Sequence, residues 1–165
     1  MLLVVPSPEF APRADLTLHQ VGSSGATPSR HDGDVAPSAP LAGIRVLDFS
    51  RVLSGPHATR MLADLGAEVI KVEPPAGDLT RFSAPRRNGL ASYFVQQNVG
   101  KDNLSIDLGT EQVVEIIREL ARHVDVIVEN YRPGVLDRLG IGPSDLLYLN
   151  PRLIVASISG YGQDG

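Results

Sequence analysis

Ser54 and His57 are residue types that could serve as a nucleophile and a base, and they lie within "VLDFSRVLSGPHATRMLADLG" (46–66). They sit three residues apart across a predicted helix start, and no third group that would orient the imidazole can be named. The segment "SISGYGQDG" (157–165) is not a hydrolase elbow, because its serine lies outside the glycine pair. Support for hydrolase-type catalysis is therefore weak.

The same loop contains a single glycine, Gly55, between an apolar run and a predicted helix. A nicotinamide-binding loop would read G-x-G-x-x-G, and a P-loop would end in Gly-Lys-Ser/Thr, and neither pattern is present. The lone Gly55 argues against a nicotinamide-dependent dehydrogenase. The loop can still offer backbone N–H groups to an anion, or it can simply turn the chain.

A second candidate segment is "ENYRPGVLDRLG" (129–140), which follows another apolar run. An aromatic ring at Tyr131 with guanidinium groups at Arg132 and Arg138 would suit a planar base and phosphate groups. The same arginines could equally be solvated surface cations. Asp48 and Asp125 lie within apolar strand patterns, where bonds to nearby backbone N–H groups are the commoner role of a carboxylate.

Composition excludes several other functions. The chain has no cysteine, which excludes disulfides, thiol catalysis and cysteine metal sites. Its four histidines show no metal-binding spacing, and a net charge of −4 gives no basic excess for nucleic acid. No apolar run approaches the ~20 residues of a membrane span. We therefore expect a cytoplasmic protein without a metal, nucleic-acid or membrane partner.

Alternating apolar patterns predict an α/β fold that positions these loops. Strands are predicted at 43–49, 68–72, 103–108, 124–130 and 152–160, and helices at 56–65, 110–123, 135–140 and 142–150, with Thr110 as a cap. We expect residues 74–100 to be irregular. The order indicates a mostly parallel sheet flanked by helices, in which ligands bind beyond the carboxyl ends of the strands. Those ends are "SRVLSG", "EPPAGD", "ENYRPG" and "SGYGQDG".

The chain divides into two regions by composition. Residues 1–40 include "GSSGATPSRHDGDVAPSAP", which is rich in Gly, Ser, Pro and Ala and offers little apolar surface to bury. We expect this region to be a disordered extension or linker. Residues 41–165 form the predicted domain.

Three segments of that domain occur in the order and at the spacing of one known family. They are "LAGIRVLDFSRVLSGPHATRMLADLGAEVIKVEPPAGDLTR", "NVGKDNLSIDL" and "DVIVENYRPGVLDRLGIGPSDLLYLNPRLIVASISGYGQDG". Together they resemble the type III CoA-transferases, which include formyl-CoA transferase, carnitine CoA-transferase and α-methylacyl-CoA racemase. The resemblance implies a Rossmann-like, N-terminal CoA-binding part of an incomplete large domain.

The resemblance implies an enzyme that moves coenzyme A between an acyl-CoA and a carboxylic acid. In this family an aspartate attacks the acyl-CoA carbonyl and then carries CoA as an aspartyl-CoA thioester. That aspartate corresponds to a position beyond Gly165, so no catalytic residue is assigned here, and Asp164 does not take the role. We expect the isolated chain to be inactive and a full-length member to form a homodimer.

The resemblance also implies which residues contact CoA. They are Leu53 and Ser54 in the first loop, Ile106, Asp107, Leu108 and Gly109 in a second strip, Asn130, Tyr131 and Arg132 in a third, and Arg138 near the phosphates. Two positions depart from the family pattern. Pro74 replaces a nucleotide-contacting arginine, for which Arg81 or the Arg86/Arg87 pair could compensate. Gly109 replaces a lysine found in some members, and Lys101 is nearby.

Several alternatives stay open at this point. The chain could be a non-catalytic CoA-binding fragment, or it could belong to the racemase branch of the same family. The residues that separate transfer from racemisation correspond to positions beyond Gly165, and the sequence does not identify the acyl donor or acceptor.

Overall fold

The computed structural model describes residues 17–20, by their backbone, and residues 39–163. Most of the expected 1–40 extension, and Asp164 with Gly165, lie outside the described residues. Within the described part of the chain, no helix is both long and apolar enough to cross a membrane.

The described residues form eight strands, five α-helices and one 3-10 turn. The strands are β1 (Thr17–Gln20), β2 (Arg45–Asp48), β3 (Glu68–Glu73), β4 (Arg86–Arg87), β5 (Leu90–Ala91), β6 (Asp102–Ser105), β7 (Val126–Glu129) and β8 (Ile154–Ser157). The helices are α1 (Ser54–Asp64), α2 (Ser92–Asn98), α3 (Glu111–Ala121), α4 (Val135–Arg138) and α5 (Pro143–Leu149), with a 3-10 turn at Leu79–Phe82.

One sheet organises the domain, with strand order β1-β6-β3-β2-β7-β8. Strands β6, β3, β2, β7 and β8 are parallel to one another, and β1 pairs antiparallel with β6. The predicted mostly parallel α/β sheet flanked by helices is therefore confirmed. Strand β1 lies within the expected extension, where the sequence patterns predict no strand.

Helices cover both faces of this sheet because successive strand residues point to opposite sides. On one face Leu47 and Ile127 pack in a cluster with Ile117 of α3 and Leu146 of α5. On the other face Val46 and Val69 pack with Leu62 and Ala63, both from α1. Such two-sided coverage explains why the strands read as near-continuous apolar runs.

The expectation for residues 74–100 was wrong, because this stretch contains the 3-10 turn, the β4–β5 hairpin and α2. Helix α2 is short and contains aromatic and β-branched residues of modest helix propensity, so its sequence gives little signal. Tertiary packing of the buried Phe94 stabilises it instead. Thr110 does precede α3, but its side chain makes no capping hydrogen bond.

The core predicts a clear contrast between two isoleucines. Ile127→Ala removes a fully buried side chain from β7 and should lower the free energy of unfolding by about 2–5 kcal/mol. Ile154→Ala, on the edge strand β8, is the matched control, because Ile154 is 62% exposed and little packing is lost. Urea unfolding followed by circular dichroism measures both. Equal losses would contradict the assignment of the core.

Candidate functional site

A cleft opens at the carboxyl edge of the sheet, where the loops after β2, β7 and β8 meet. Its volume is about 480 Å³, and it is lined by Ser54, Asn130, Tyr131, Arg132, Pro133 and residues 158–162. Four residues that the sequence analysis singled out, from segments far apart in the chain, therefore lie around one cleft. They meet because parallel strands end at the same edge.

The remaining predicted contacts are not among the residues that line this cleft. Leu53 directly precedes Ser54 and is 49% exposed. The strip 106–109 follows β6, which is separated from β2 by β3. In that strip Ile106 is buried in the core and Leu108 packs against it, while the exposed Asp107 accepts the Gly109 N–H at 2.9 Å. Arg138 is exposed on α4.

The loop after β2 makes a turn with unusual backbone geometry. Val52 has a φ of +70°, a left-handed conformation that is strained for a β-branched residue. The Val52 N–H donates to Asp78 Oδ2 at 3.2 Å. Strain of this kind persists where surrounding contacts enforce it, and such positions cluster at functional sites.

Gly55 is required by close packing rather than by a dinucleotide. A Cβ at this position would overlap the Ser50 side chain. Gly55 is itself buried at the start of α1. The lone glycine therefore lets the helix begin directly against the end of β2, which sets the wall of the cleft that carries Ser54.

A buried ion pair lies beneath this turn. Asp48 is fully buried and accepts hydrogen bonds from the Ser50 N–H at 2.9 Å, from the Ser50 hydroxyl and from the Thr59 hydroxyl at 2.6 Å. The Lys101 ammonium donates to Asp48 Oδ2 at 2.9 Å, to the Pro56 carbonyl at 2.9 Å and to Asn98 Oδ1 at 3.0 Å. The pair thus joins β2, α1 and α2 at one point.

A second buried pair supports the other side of the turn. The Lys71 ammonium lies 3.3 Å from Asp78 Oδ2 and donates to the Ser50 carbonyl at 2.7 Å. Burial alone would raise the pKa of Asp78, but hydrogen bonds from Thr80 and the charge of Lys71 outweigh it and hold the pKa below its ordinary value. Asp78 is therefore a carboxylate fixed in place to accept the Val52 N–H.

Glu73 and Arg81 form a third ion pair, and we call the pairs Asp48–Lys101, Lys71–Asp78 and Glu73–Arg81 the ionic layer. The Arg81 guanidinium makes two bonds of 2.6 Å to the Glu73 carboxylate and lies 3.8 Å from the centre of the Phe94 ring. Two nitrogens of the Arg81 guanidinium, Nε and Nη2, therefore already bind a carboxylate of the same chain. Arg86 and Arg87, the other candidates to replace the arginine missing at Pro74, are exposed on β4.

The Asn130 side chain binds the backbone of the turn that follows β2. Its Oδ1 accepts the Arg51 N–H at 2.7 Å, and its Nδ2 donates to the Arg51 carbonyl at 2.8 Å. Next to it, the Tyr131 N–H donates to Glu129 Oε2 at 2.8 Å. Burial raises the pKa of the Tyr131 phenol, with a smaller opposing effect from Arg51. The phenol is therefore neutral at physiological pH and can donate a hydrogen bond.

Ser54 and His57 do not form a catalytic pair among the described residues. His57 Nδ1 instead lies 3.3 Å from Gln97 Oε1. Asp125 has the structural role that the strand pattern favoured, because its carboxylate accepts the Arg45 N–H at 2.9 Å. Residues 39–163 also contain no group of three or more acidic or histidine side chains that could hold a metal ion.

The sequence analysis did not assign roles to Lys71, Asp78 and Lys101. One signal was available, since Lys71 interrupts the otherwise apolar run of β3 and a lysine buried in a sheet needs a partner. The identity of each partner is not readable from the sequence, because Asp48 and Lys101 are 53 residues apart.

Breaking the Asp48–Lys101 pair should destabilise the fold strongly. Lys101→Met leaves the buried Asp48 carboxylate without its counter-charge, so the free energy of unfolding should fall by about 3–5 kcal/mol. Arg122→Met is the control, because it removes the partly exposed Arg122–Glu119 pair at the end of α3, for which a change below about 1 kcal/mol is expected. Chemical denaturation compares them, and similar losses would argue against the proposed importance of the pair.

The same lysine predicts a dependence of stability on pH. Burial outweighs the attraction of Asp48 and lowers the pKa of Lys101 from 10.5 to about 8. Between these values the unfolded chain binds more protons than the folded chain, so stability from this group rises with pH. The difference in unfolding free energy between the unsubstituted chain and Lys101→Met should therefore widen from pH 7.5 to 9.5. A narrowing difference would contradict the lowered pKa.

Residues 41–165 match the family described as CoA-transferase family III. The chain is 47% identical over 132 residues to the probable fatty acyl-CoA transferase Rv3272 of Mycobacterium tuberculosis, and the match covers 78% of this chain and 34% of that protein. It is 45% identical over 146 residues to the succinyl-CoA:glutarate CoA-transferase of Mus musculus, covering 87% of this chain and 34% of the mouse protein.

Solved structures agree with these sequence matches. The crystal structure of Rv3272 superposes with a TM-score of 0.73 at 46% identity, covering 79% of this chain and 36% of the other. A CAIB/BAIF family protein from Brucella suis gives a TM-score of 0.74 at 41% identity, covering 78% and 35%. The chain spans about a third of the length of the curated relatives it matches. On the match over residues 41–165, the chain belongs to CoA-transferase family III.

Proposed function

We propose that this chain carries the coenzyme A-binding part of an enzyme that transfers CoA between an acyl-CoA and a carboxylic acid. The observation that carries the proposal is the cleft at the carboxyl edge of the sheet, where Ser54, the segment 130–133 and the segment 158–162 meet. Family membership supports the reaction class. The cleft provides the location for the nucleotide part of the substrate.

The chemistry of this edge fits a phosphate-bearing ligand. Arg132 lines the cleft and Arg138 follows on α4. Neither guanidinium forms an ion pair with a carboxylate of the described residues. Both are therefore available for charge-assisted hydrogen bonds to the CoA phosphates. A volume of about 480 Å³ lies in the range of small-molecule sites.

Tyr131 and the turn before α1 complete the proposed contacts. Tyr131 is half-buried, with its ring packed against the core, so its position is fixed by the fold. Its neutral phenol can donate a hydrogen bond, and its ring offers an apolar edge to the adenine or pantetheine part. Leu53 and Ser54 project from the turn beside it. The strip Ile106–Gly109 would contact CoA mainly through its backbone, because the Ile106 side chain is buried.

The proposed reaction uses an aspartate that the family pattern places after residue 165. Its carboxylate attacks the acyl-CoA carbonyl and releases the CoA thiolate, which then attacks the resulting anhydride at the aspartyl carbonyl and frees the donor acid. The acceptor carboxylate then attacks the carbonyl of the aspartyl-CoA thioester and releases the CoA thiolate, which forms a second mixed anhydride. The thiolate attacks the acceptor's acyl carbonyl in this anhydride, which gives the new acyl-CoA and frees the aspartate. In this scheme the residues described above bind and orient CoA, in a cytoplasmic homodimer of the full-length protein.

Removing either free arginine should weaken CoA binding. Arg132→Ala and Arg138→Ala should each cost about 1–3 kcal/mol, or roughly 5- to 150-fold in Kd, if each donates to a phosphate. Isothermal titration of the chain with CoA measures the effect. Arg152→Ala is the matched control, because this exposed arginine precedes β8 and so lies at the opposite edge of the sheet.

The CoA titrations test the roles of the two arginines, and a comparison with NAD tests the proposed function itself. Unchanged affinity in both arginine variants would reject their phosphate-binding role. Tight binding of NAD by the unsubstituted chain without binding of CoA would overturn the proposed function in favour of a nicotinamide-dependent enzyme.

A further inference from the structure

The turn Arg51–Ser54, which we call the cleft turn, does not hold its shape through local preference. Val52 sits at a φ of +70°, a conformation that valine rarely adopts in isolation. Its side chain is 45% exposed, so burial of Val52 itself does not compensate for the strain. Within the turn the Leu53 N–H donates to the Arg51 carbonyl at 3.1 Å. Contacts from outside the turn add to this bond in holding the strained conformation.

Asn130 provides the most direct of these contacts. Both polar ends of its side-chain amide bind the backbone of Arg51, at 2.7 Å to the N–H and 2.8 Å to the carbonyl. Such a two-point contact fixes the orientation of the Arg51 peptide groups as well as their position. It also links the end of β7 to the end of β2, its neighbour in the sheet.

Asp78 holds the next residue from the opposite side. It accepts the Val52 N–H and is itself fixed by Lys71 and by the Thr80 N–H at 2.9 Å. The cleft turn is thus held on its β7 side by an amide and on its β3 side by a buried carboxylate. Loss of the amide leaves the strained residue held by Asp78 and by the bond between Leu53 and Arg51 within the turn.

We infer that Asn130 is a positioning residue, which acts on the proposed CoA site through the cleft turn and not by binding the nucleotide with its amide. The inference rests on the proposed function. It differs from the family-based expectation in the role that it assigns to the Asn130 side chain, whose Oδ1 and Nδ2 both bind the backbone of Arg51.

The chain offers a matched control for this inference. Asn150 also bridges backbone groups, because its Nδ2 donates to the carbonyls of Ala121 at 2.9 Å and Val124 at 3.1 Å. Its Oδ1 accepts the Arg152 N–H at 3.1 Å. This second amide lies before β8, away from the cleft edge. Asn150→Ala therefore removes similar bonds without touching the cleft turn.

The first experiment measures amide hydrogen exchange in the absence of CoA, followed by CoA titration. Asn130→Ala should speed exchange of the Val52 and Leu53 amides about tenfold and weaken CoA binding by a similar factor. Asn150→Ala should leave both quantities within about twofold of the unsubstituted chain. Unchanged exchange in Asn130→Ala overturns the positioning role, whereas failure of the unsubstituted chain to bind CoA overturns the proposed function.

A second variant separates positioning from direct contact. Glycine adopts a positive φ without strain, so Val52→Gly added to Asn130→Ala should restore much of the CoA affinity. Recovery of the affinity supports action through the turn. If the affinity stays as low as in Asn130→Ala alone, the Asn130 amide contacts CoA directly and the inference is wrong.

Discussion

The buried ion pair between Asp48 and Lys101 is the interaction on which the rest of the site depends. Removing two charges from water is costly, and the cost is offset only when each charge is fully hydrogen-bonded. Here the carboxylate accepts from Ser50, Thr59 and Lys101, and the ammonium reaches the first turn of α1 and the end of α2. The end of β2 therefore cannot move independently of the helices that surround it.

The cleft turn, which follows Asp48, contains the strained left-handed conformation of Val52. Asp78 and Asn130 hold the strained turn at Val52 from either side, and Gly55 lets α1 start close against Ser50. A site that is shaped before its ligand arrives loses less conformational entropy on binding. The ionic layer therefore has a function beyond stability in our account, since it keeps the wall of the cleft in place in the absence of CoA.

Much of this arrangement could be predicted from sequence patterns. The apolar strands and the amphipathic helix α3 indicated a parallel sheet, and a parallel sheet brings Ser54 and Tyr131 to one edge regardless of their separation along the chain. Helix α2 was missed because packing of Phe94, not local propensity, stabilises it. The pairing of Lys101 with Asp48 and the use of Asn130 were missed because long-range contacts within the folded chain decide them.

The most direct test of the account is a crystal structure of the chain with CoA. We predict that the nucleotide lies in the cleft at the carboxyl edge, with its phosphates at Arg132 or Arg138 and its remaining contacts at Ser54 and Tyr131. The cleft turn should keep its left-handed Val52, because the site is already shaped. CoA bound elsewhere on the domain, or a turn that refolds around it, would contradict the account.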